Sequence, residues 1–60
     1  MATVREVQQA LADLGLYTGK VDDEWGDITA QAVIAFQRIN AMPPNGKIST
    51  KLLDLLFGYR

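Results

Sequence analysis

The chain has 60 residues and a net charge of −1, from six Lys and Arg against seven Asp and Glu. Such a length predicts one small domain, residues 1–60, with a thin core, and the lack of cysteine and histidine excludes disulfides and Cys/His zinc sites. Dispersed basic residues argue against nucleic-acid binding, and no apolar run is long enough to span a membrane.

The first predicted helix covers residues 4–14. Thr3 and Glu6 have the spacing of a capping box, in which each side chain bonds the other residue's backbone amide. Gly15 stands where a helix commonly ends in the left-handed conformation. Between them an apolar stripe repeats at steps of three and four, formed by Val4, Val7, Leu11 and Leu14.

The second predicted helix covers residues 28–40 and follows an ordered loop, 15–26, with Leu16 and Val21 turned inward. Asp27 is expected to cap this helix, and Pro43 and Pro44 prevent its continuation. Its predicted buried stripe is Ile28, Ala32, Val33, Phe36 and Ile39, and its predicted polar face carries Gln31, Gln37 and Arg38.

The third predicted helix covers residues 50–57, after an Asn45-Gly46 turn and a Ser49 cap. Its core-facing arc is Leu52, Leu53 and Leu56, and Leu55 and Phe57 fall outside that arc on opposite flanks. The segments 19–22 and 46–49 resemble each other, which predicts two similar turns and allows a short bridge between the Val21 and Ile48 segments.

These elements predict an all-α fold, a compact three-helix bundle with ordered connecting loops. One core cluster is expected, formed by Val7, Leu11, Leu14, Val21, Trp25, Val33, Phe36, Ile48 and either Leu53 or Leu56.

The segment 19–29 reads G-K-V-D-D-E-W-G-D-I-T and leads into Ala32-Val33 and Phe36-Gln37. This pattern resembles the peptidoglycan-binding domain family, small three-helix modules attached to cell-wall hydrolases. The family's turn reads roughly G-x-V-D-G-x-[FYW]-G-x-x-T and its helix A-V-x-x-F-Q, and the resemblance covers roughly residues 3–57. Asp23 and Ala41 replace glycines of the family pattern, so Asp23 is expected at positive φ and the left-handed cap is expected to move to Asn40.

The resemblance implies non-catalytic binding of bacterial peptidoglycan, glycan strands or stem peptides, by a monomer that anchors an attached or partner hydrolase. It places the protein in the bacterial envelope, periplasmic or extracellular, or in a phage lysis system. No signal-peptide core is visible, so we expect a piece of a longer secreted protein, a lysis component, or a subunit exported by another route.

The predicted ligand contacts are aromatic and polar residues near the end of the second helix: Tyr17, Trp25, Gln37, Arg38, Asn40 and Asn45. Amides and a guanidinium suit the acetamido, peptide and carboxylate groups of peptidoglycan. Trp25 has two interpretations, a core anchor or a sugar-stacking platform, and the family pattern favours the anchor. Tyr17 is expected to be exposed, and Gln37 could instead brace a loop carbonyl.

The sequence also bears on metal binding, catalysis and partner docking. The carboxylates of residues 22–27 suggest calcium, but their spacing does not match a calcium loop, so we expect no metal and no cofactor, with Asp22 making a turn and Asp23 and Glu24 solvated. Catalysis is not expected, since the chain lacks histidine and cysteine nucleophile pairs and room for a deep cleft. The alternative function is a protein-interaction module that docks a partner through Leu55 and Phe57 of the third helix.

Overall fold

The computed structural model describes residues 2–58, which contain three helices: α1 (Val4–Asp13), α2 (Asp27–Ile39) and α3 (Thr50–Leu56). Helix α1 contacts both α2 and α3, and the described chain measures 25 × 22 × 18 Å. This confirms the all-α three-helix bundle. No strand or bridge occurs between residues 2 and 58, so the suggested bridge between the Val21 and Ile48 segments is not formed.

The helix starts follow from short-range hydrogen bonds. The capping box of α1 is confirmed, because the Glu6 amide donates to Thr3 Oγ1 at 3.2 Å and the Thr3 amide donates to Glu6 Oε1 at 2.8 Å. The Ser49 cap of α3 is confirmed as well. The expected Asp27 cap of α2 is wrong: Gly26 is the extended residue that precedes the helix, and Asp27 already belongs to its first turn.

A residue with positive φ follows the end of α1 and the end of α2. Gly15 has φ +78° after α1, as predicted. At the end of α2 the prediction for Asn40 is wrong, since Asn40 has φ −99° and Ala41 takes the left-handed conformation at φ +56°. Asn40 instead donates from its side chain to the Phe36 carbonyl at 2.9 Å. The side-chain amide thus satisfies one of the last carbonyls of α2, and the unfavourable left-handed backbone conformation falls on Ala41.

The core draws on all three helices and one loop residue. Its buried members are Val7, Leu11, Tyr17, Ala32, Val33, Phe36, Leu52 and Leu56, and the partly buried residues packed against them include Leu16, Val21 and Leu53. Most of the predicted cluster is therefore present.

Three predicted core members are exposed: Leu14 by 55%, Trp25 by 44% and Ile48 by 40%. Leu14 follows the last residue of α1, and the amides of Leu16 and Tyr17 both donate to the Leu11 carbonyl. The chain thus folds back over the helix end, and Tyr17 reaches the core while Leu14 does not. Ile48 lies just before the Ser49 cap, and Leu52 and Leu56 fill the core beneath α3.

The buried face of α2 is rotated relative to the prediction. Ile28 and Ile39 are exposed, whereas Thr29 and Gln37 are 2% exposed. At 100° per residue this corresponds to a rotation of about 40° about the helix axis. The predicted polar face is therefore wrong for Gln37, because hydrogen bonds satisfy its amide inside the structure.

Replacing Phe36 with alanine should unfold the domain. Loss of a central aromatic side chain costs roughly 3–5 kcal/mol, and a domain of this size has a net stability of about 3–5 kcal/mol. Thermal unfolding followed by circular dichroism measures this, with Ile39→Ala as a control at an exposed position on the same helix. A cooperative transition of the Phe36 variant near that of the parent would contradict the core assignment.

Candidate functional site

A groove of about 270 Å³ opens beside the first turn of α2. Its wall is formed by the loop between α1 and α2 and by the start of α2. The residues that line it are Tyr17, Gly19, Lys20, Asp22, Glu24, Trp25, Gly26, Ile28 and Thr29. Aromatic, aliphatic and charged groups are thus brought together at one surface.

The loop that forms the groove is held from below by Gln8. This α1 side chain is completely buried, and its Oε1 accepts from the amides of Asp22 and Asp23, both at 3.0 Å. One amide oxygen therefore fixes two successive peptide groups of the loop. Since a buried unpaired amide is costly, this pairing determines the path of the acidic turn.

The Nε2 of Gln8 lies among four oxygens. They are Tyr17 Oη at 3.2 Å, Asp22 Oδ1 at 3.2 Å, the Glu24 carbonyl at 2.9 Å and Thr29 Oγ1 at 3.0 Å. Because Nε2 has only two protons, these four acceptors share them. Gln8 consequently connects α1, the loop and α2 at the floor of the groove.

Tyr17 was expected at the surface, but it is only 8% exposed. Its hydroxyl accepts from Gln8 and donates to the Lys20 carbonyl. The ring lies against Gly19, where an added Cβ would stand 2.7 Å from Tyr17 Oη. The absence of a side chain at Gly19 is therefore what lets the loop close over the tyrosine.

The two aspartates of the turn have different partners. Asp22 Oδ1 accepts from the Glu24 amide at 3.0 Å, which confirms the predicted turn bond. Asp23 adopts φ +65°, as predicted, but it is not simply solvated, since Asp23 Oδ1 accepts from the Arg5 amide at 2.8 Å. The carboxylate thus satisfies a free amide in the first turn of α1.

The hydrogen bonds at Asp22 also affect its ionisation. The bond from the Glu24 amide, and then that from the Gln8 side chain, lower the pKa of the Asp22 carboxyl below its ordinary 3.8. Both donors favour the charged form.

Trp25 lies at the groove and is not the core anchor that the sequence favoured. It is 44% exposed, and the neighbouring Ile28 is 58% exposed. The space beneath the turn is occupied by Tyr17 and the Gln8 amide, so no room remains there for an indole. Trp25 is thus accessible at the groove, and its role as a sugar-stacking platform stays a prediction.

A second buried glutamine holds the loop at the other end of α2. The Gly46 amide donates to Gln37 Oε1 at 2.9 Å, and Gln37 Nε2 donates to Asn45 Oδ1 at 3.0 Å and to the Lys47 carbonyl at 3.1 Å. Gln37 thus braces a loop carbonyl, one of the two roles predicted for it. Its amide is already occupied by the loop.

The predicted contacts therefore fall into two groups. Tyr17 and Trp25 line the groove, whereas Gln37, Asn45, Arg38 and Asn40 lie near the far end of α2. Thr29 of the groove and Gln37 are eight residues apart on α2, which corresponds to a rise of about 12 Å along the helix. Arg38 is exposed and Asn40 is half-buried, so only the first group belongs to the groove.

Two further properties concern the described residues. Between residues 2 and 58, the acidic side chains form no group of three or more that could hold a metal ion. No helix in that range has both the length and the apolar character needed to cross a membrane.

Sequence reasoning missed Gln8, although a signal was present. Gln8 lies about 40° from Val4 and about 60° from Leu11 around α1, beside the edge of the apolar arc. A polar side chain at such a position must be paired when the helix packs. The groove residues Lys20, Ile28 and Thr29 had no comparable signal, because their proximity depends on how the loop folds.

Comparison with known proteins identifies the family. The sequence model of the family described as "Putative peptidoglycan binding domain" matches residues 1–56. The chain belongs to this family. No curated protein and no solved structure matches the chain.

Membership in this family supports peptidoglycan as the partner of the chain. It also implies that the protein acts in a cell-wall or extracellular context. The match covers the whole groove and both glutamine-braced loops, residues 17–29 and 45–49, so the features described above lie within the family's segment.

Replacing Gln8 with alanine should destabilise the domain strongly. Loss of its Oε1 leaves the amides of Asp22 and Asp23 without their partner, at about 1–3 kcal/mol for each group that stays buried. The matched control is Gln9→Ala, because Gln9 is exposed and its side chain bonds Asp13 alone among the described residues. Urea unfolding curves that coincide for the two variants would contradict the role assigned to Gln8.

The Asp22 carboxylate should make the domain less stable at acid pH. Because its folded pKa is lowered below 3.8, its contribution is present above that value and is lost as the pH falls through the folded pKa. Asp22→Asn keeps an oxygen acceptor but cannot ionise, so its melting temperature should fall less than the parent's between about pH 6 and about pH 3. The control is Asp54→Asn on α3, and an equal acid loss for parent and Asp22→Asn would refute the assignment.

Proposed function

We propose that this domain binds peptidoglycan without cleaving it, using the groove beside the first turn of α2. The observation that carries the proposal is the exposure of Trp25, by 44%, at the rim of a groove rather than in the core. In a chain with a thin core, leaving the only tryptophan half in solvent forgoes about 25 cal/mol of stability per Å² of apolar surface. A ligand that covers the indole would recover this free energy.

The dimensions of the groove indicate weak binding to a small part of the polymer. A volume of about 270 Å³ is at or below the lower end of ordinary ligand pockets. A single site of this kind supports a Kd of roughly micromolar to millimolar. Repeated units along the wall polymer raise the effective concentration, so weak individual contacts are sufficient for retention.

The lowered pKa of Asp22 argues against this carboxyl group as the general acid of a glycosidase. A glycosidase needs a carboxylic acid whose pKa is raised, so that it is protonated and can donate to the leaving group. The hydrogen bonds from the Glu24 amide and Gln8 lower the pKa of Asp22 instead. Asp22 is thereby suited to holding the loop in place.

A binding domain of this kind would concentrate a hydrolase, attached in the same chain or associated as a partner, on its substrate. We infer that the domain acts as a monomer in the periplasm, outside the cell, or in a phage lysis system. The family match supports the wall-binding part of this proposal, and the attachment to a hydrolase rests on the resemblance of residues 19–37 to modules of wall hydrolases.

The alternative is a protein-interaction module that uses α3. Leu55 and Phe57 are exposed by 45% and 40%, so both side chains lie outside the core and are accessible to a partner. The groove favours the wall-binding proposal, because it combines apolar and charged groups in one concave surface, and neither Leu55 nor Phe57 lines it.

Co-sedimentation with purified sacculi should distinguish these functions. The parent should sediment with the sacculi, and Trp25→Ala should reduce the bound fraction because it removes the apolar wall of the groove. The matched control is Phe57→Ala, an aromatic residue of similar exposure outside the groove, which should sediment like the parent.

Circular dichroism of each variant establishes that its helices are retained. A parent that stays in the supernatant would refute wall binding and favour the interaction module. Binding that depends on Phe57 and not on Trp25 would move the site from the groove to α3.

A further inference from the structure

Charges of both signs line the groove. Lys20, Asp22 and Glu24 are all exposed and all belong to its wall. Between residues 2 and 58 the lysine forms no hydrogen bond through its ammonium group, and Glu24 forms none through its carboxylate; their backbone carbonyls are the atoms that Tyr17 and Gln8 use. The groove therefore presents one cation and two anions whose charged groups share no hydrogen bond or ion pair. Besides the bonds from the Glu24 amide and Gln8, the charge of Lys20 helps to lower the pKa of Asp22 from a distance.

The hydrogen bonds of Asp22 leave one of its two carboxylate oxygens, Oδ2, available. Both bonds that fix the turn use Oδ1, and Oδ2 accepts none from the described residues. The loop is held by backbone groups, by Oδ1 of Asp22 and by other side chains, namely Gln8, Tyr17, Asp23 and Arg5. The Lys20 ammonium, the Glu24 carboxylate and Oδ2 of Asp22 form no hydrogen bond with the described residues.

Resting on the function proposed above, we propose that the groove binds the free amino-acid end of a peptidoglycan stem peptide rather than the glycan strand. Such an end carries an ammonium and a carboxylate beside an aliphatic segment. The ammonium pairs with the carboxylates of Asp22 and Glu24, the carboxylate pairs with Lys20, and the aliphatic segment lies against Trp25 and Ile28.

The chemistry of the glycan strand fits the groove less well. Its N-acetylated sugars offer hydroxyl and acetamido groups without charge, so they would cover Lys20, Asp22 and Glu24 without neutralising them. Displacing water from unpaired charges opposes binding. A ligand with both charges compensates each of them, and its small cross-section suits a groove of about 270 Å³.

Fluorescence of Trp25, the only tryptophan in the chain, can report binding directly. The probe is the tripeptide L-alanyl-γ-D-glutamyl-meso-diaminopimelate, acetylated at its alanine. Two comparison peptides each lack one charge type: in one the diaminopimelate carboxylates are amidated, and in the other its side-chain amine is acetylated. Chitotetraose represents the glycan strand. The parent should bind the unmodified tripeptide saturably, and each charge-removing modification should weaken binding about threefold or more, as expected for a partly exposed ion pair.

Variants of the protein test the same pairs from the other side. Lys20→Met and Glu24→Gln should each weaken tripeptide binding about threefold to fivefold, and raised salt should reduce the affinity of the parent. Lys47→Met is the matched control for the lysine, because Lys47 follows a glycine in the other loop and, within residues 2–58, forms hydrogen bonds through its backbone alone. Asp54→Asn controls for loss of a negative charge, and both controls should bind like the parent.

The outcomes separate this inference from the proposed function. Tighter binding of chitotetraose, equal binding of the charge-removed peptides, or no saturable binding of the tripeptide would overturn the stem-peptide assignment while sedimentation with sacculi still supported wall binding. Failure of the parent to sediment with sacculi would remove the proposed function and this inference together.

Discussion

The side chain of Gln8 is the interaction on which the rest of the structure depends. It is completely buried and reaches the backbone of residues 22–24 as well as side chains of Tyr17 and Thr29. A chain of 60 residues has too little apolar surface to hold a long loop by packing alone. One buried amide does so here by satisfying several loop groups at once, and such networks favour a single arrangement because partial satisfaction is costly.

The same device occurs twice. Gln8 of α1 braces the loop that leads to α2, and Gln37 of α2 braces the loop that leads to α3. The weak sequence similarity of segments 19–22 and 46–49 therefore has a structural counterpart, a helix whose buried glutamine fixes the next turn. The two copies differ in consequence, because the first loop is longer and forms a groove, whereas the second passes directly to its helix.

The fold could be predicted from short-range signals, since the capping box at Thr3 and the left-handed Gly15 depend only on nearby residues. The groove could not, because it depends on long-range pairing between α1 and the loop. Trp25 shows the difference: hydrophobicity predicts burial, but the place beneath the turn is taken by a tyrosine and an amide. Gln37 shows the reverse case: it was placed on the polar face of α2 but is buried, and its partners lie eight to ten residues further along the chain.

The bracing of the loop by Gln8 also bears on how fast the groove would exchange the ligand proposed for it. A recognition loop that is ordered before encounter is preorganised, so association loses little conformational entropy and requires no rearrangement. Affinity is then limited by the small contact area alone, and dissociation is expected to be rapid. A domain with these properties can release one site on a polymer and rebind at the next, so that a tethered partner would move across the wall while remaining close to it.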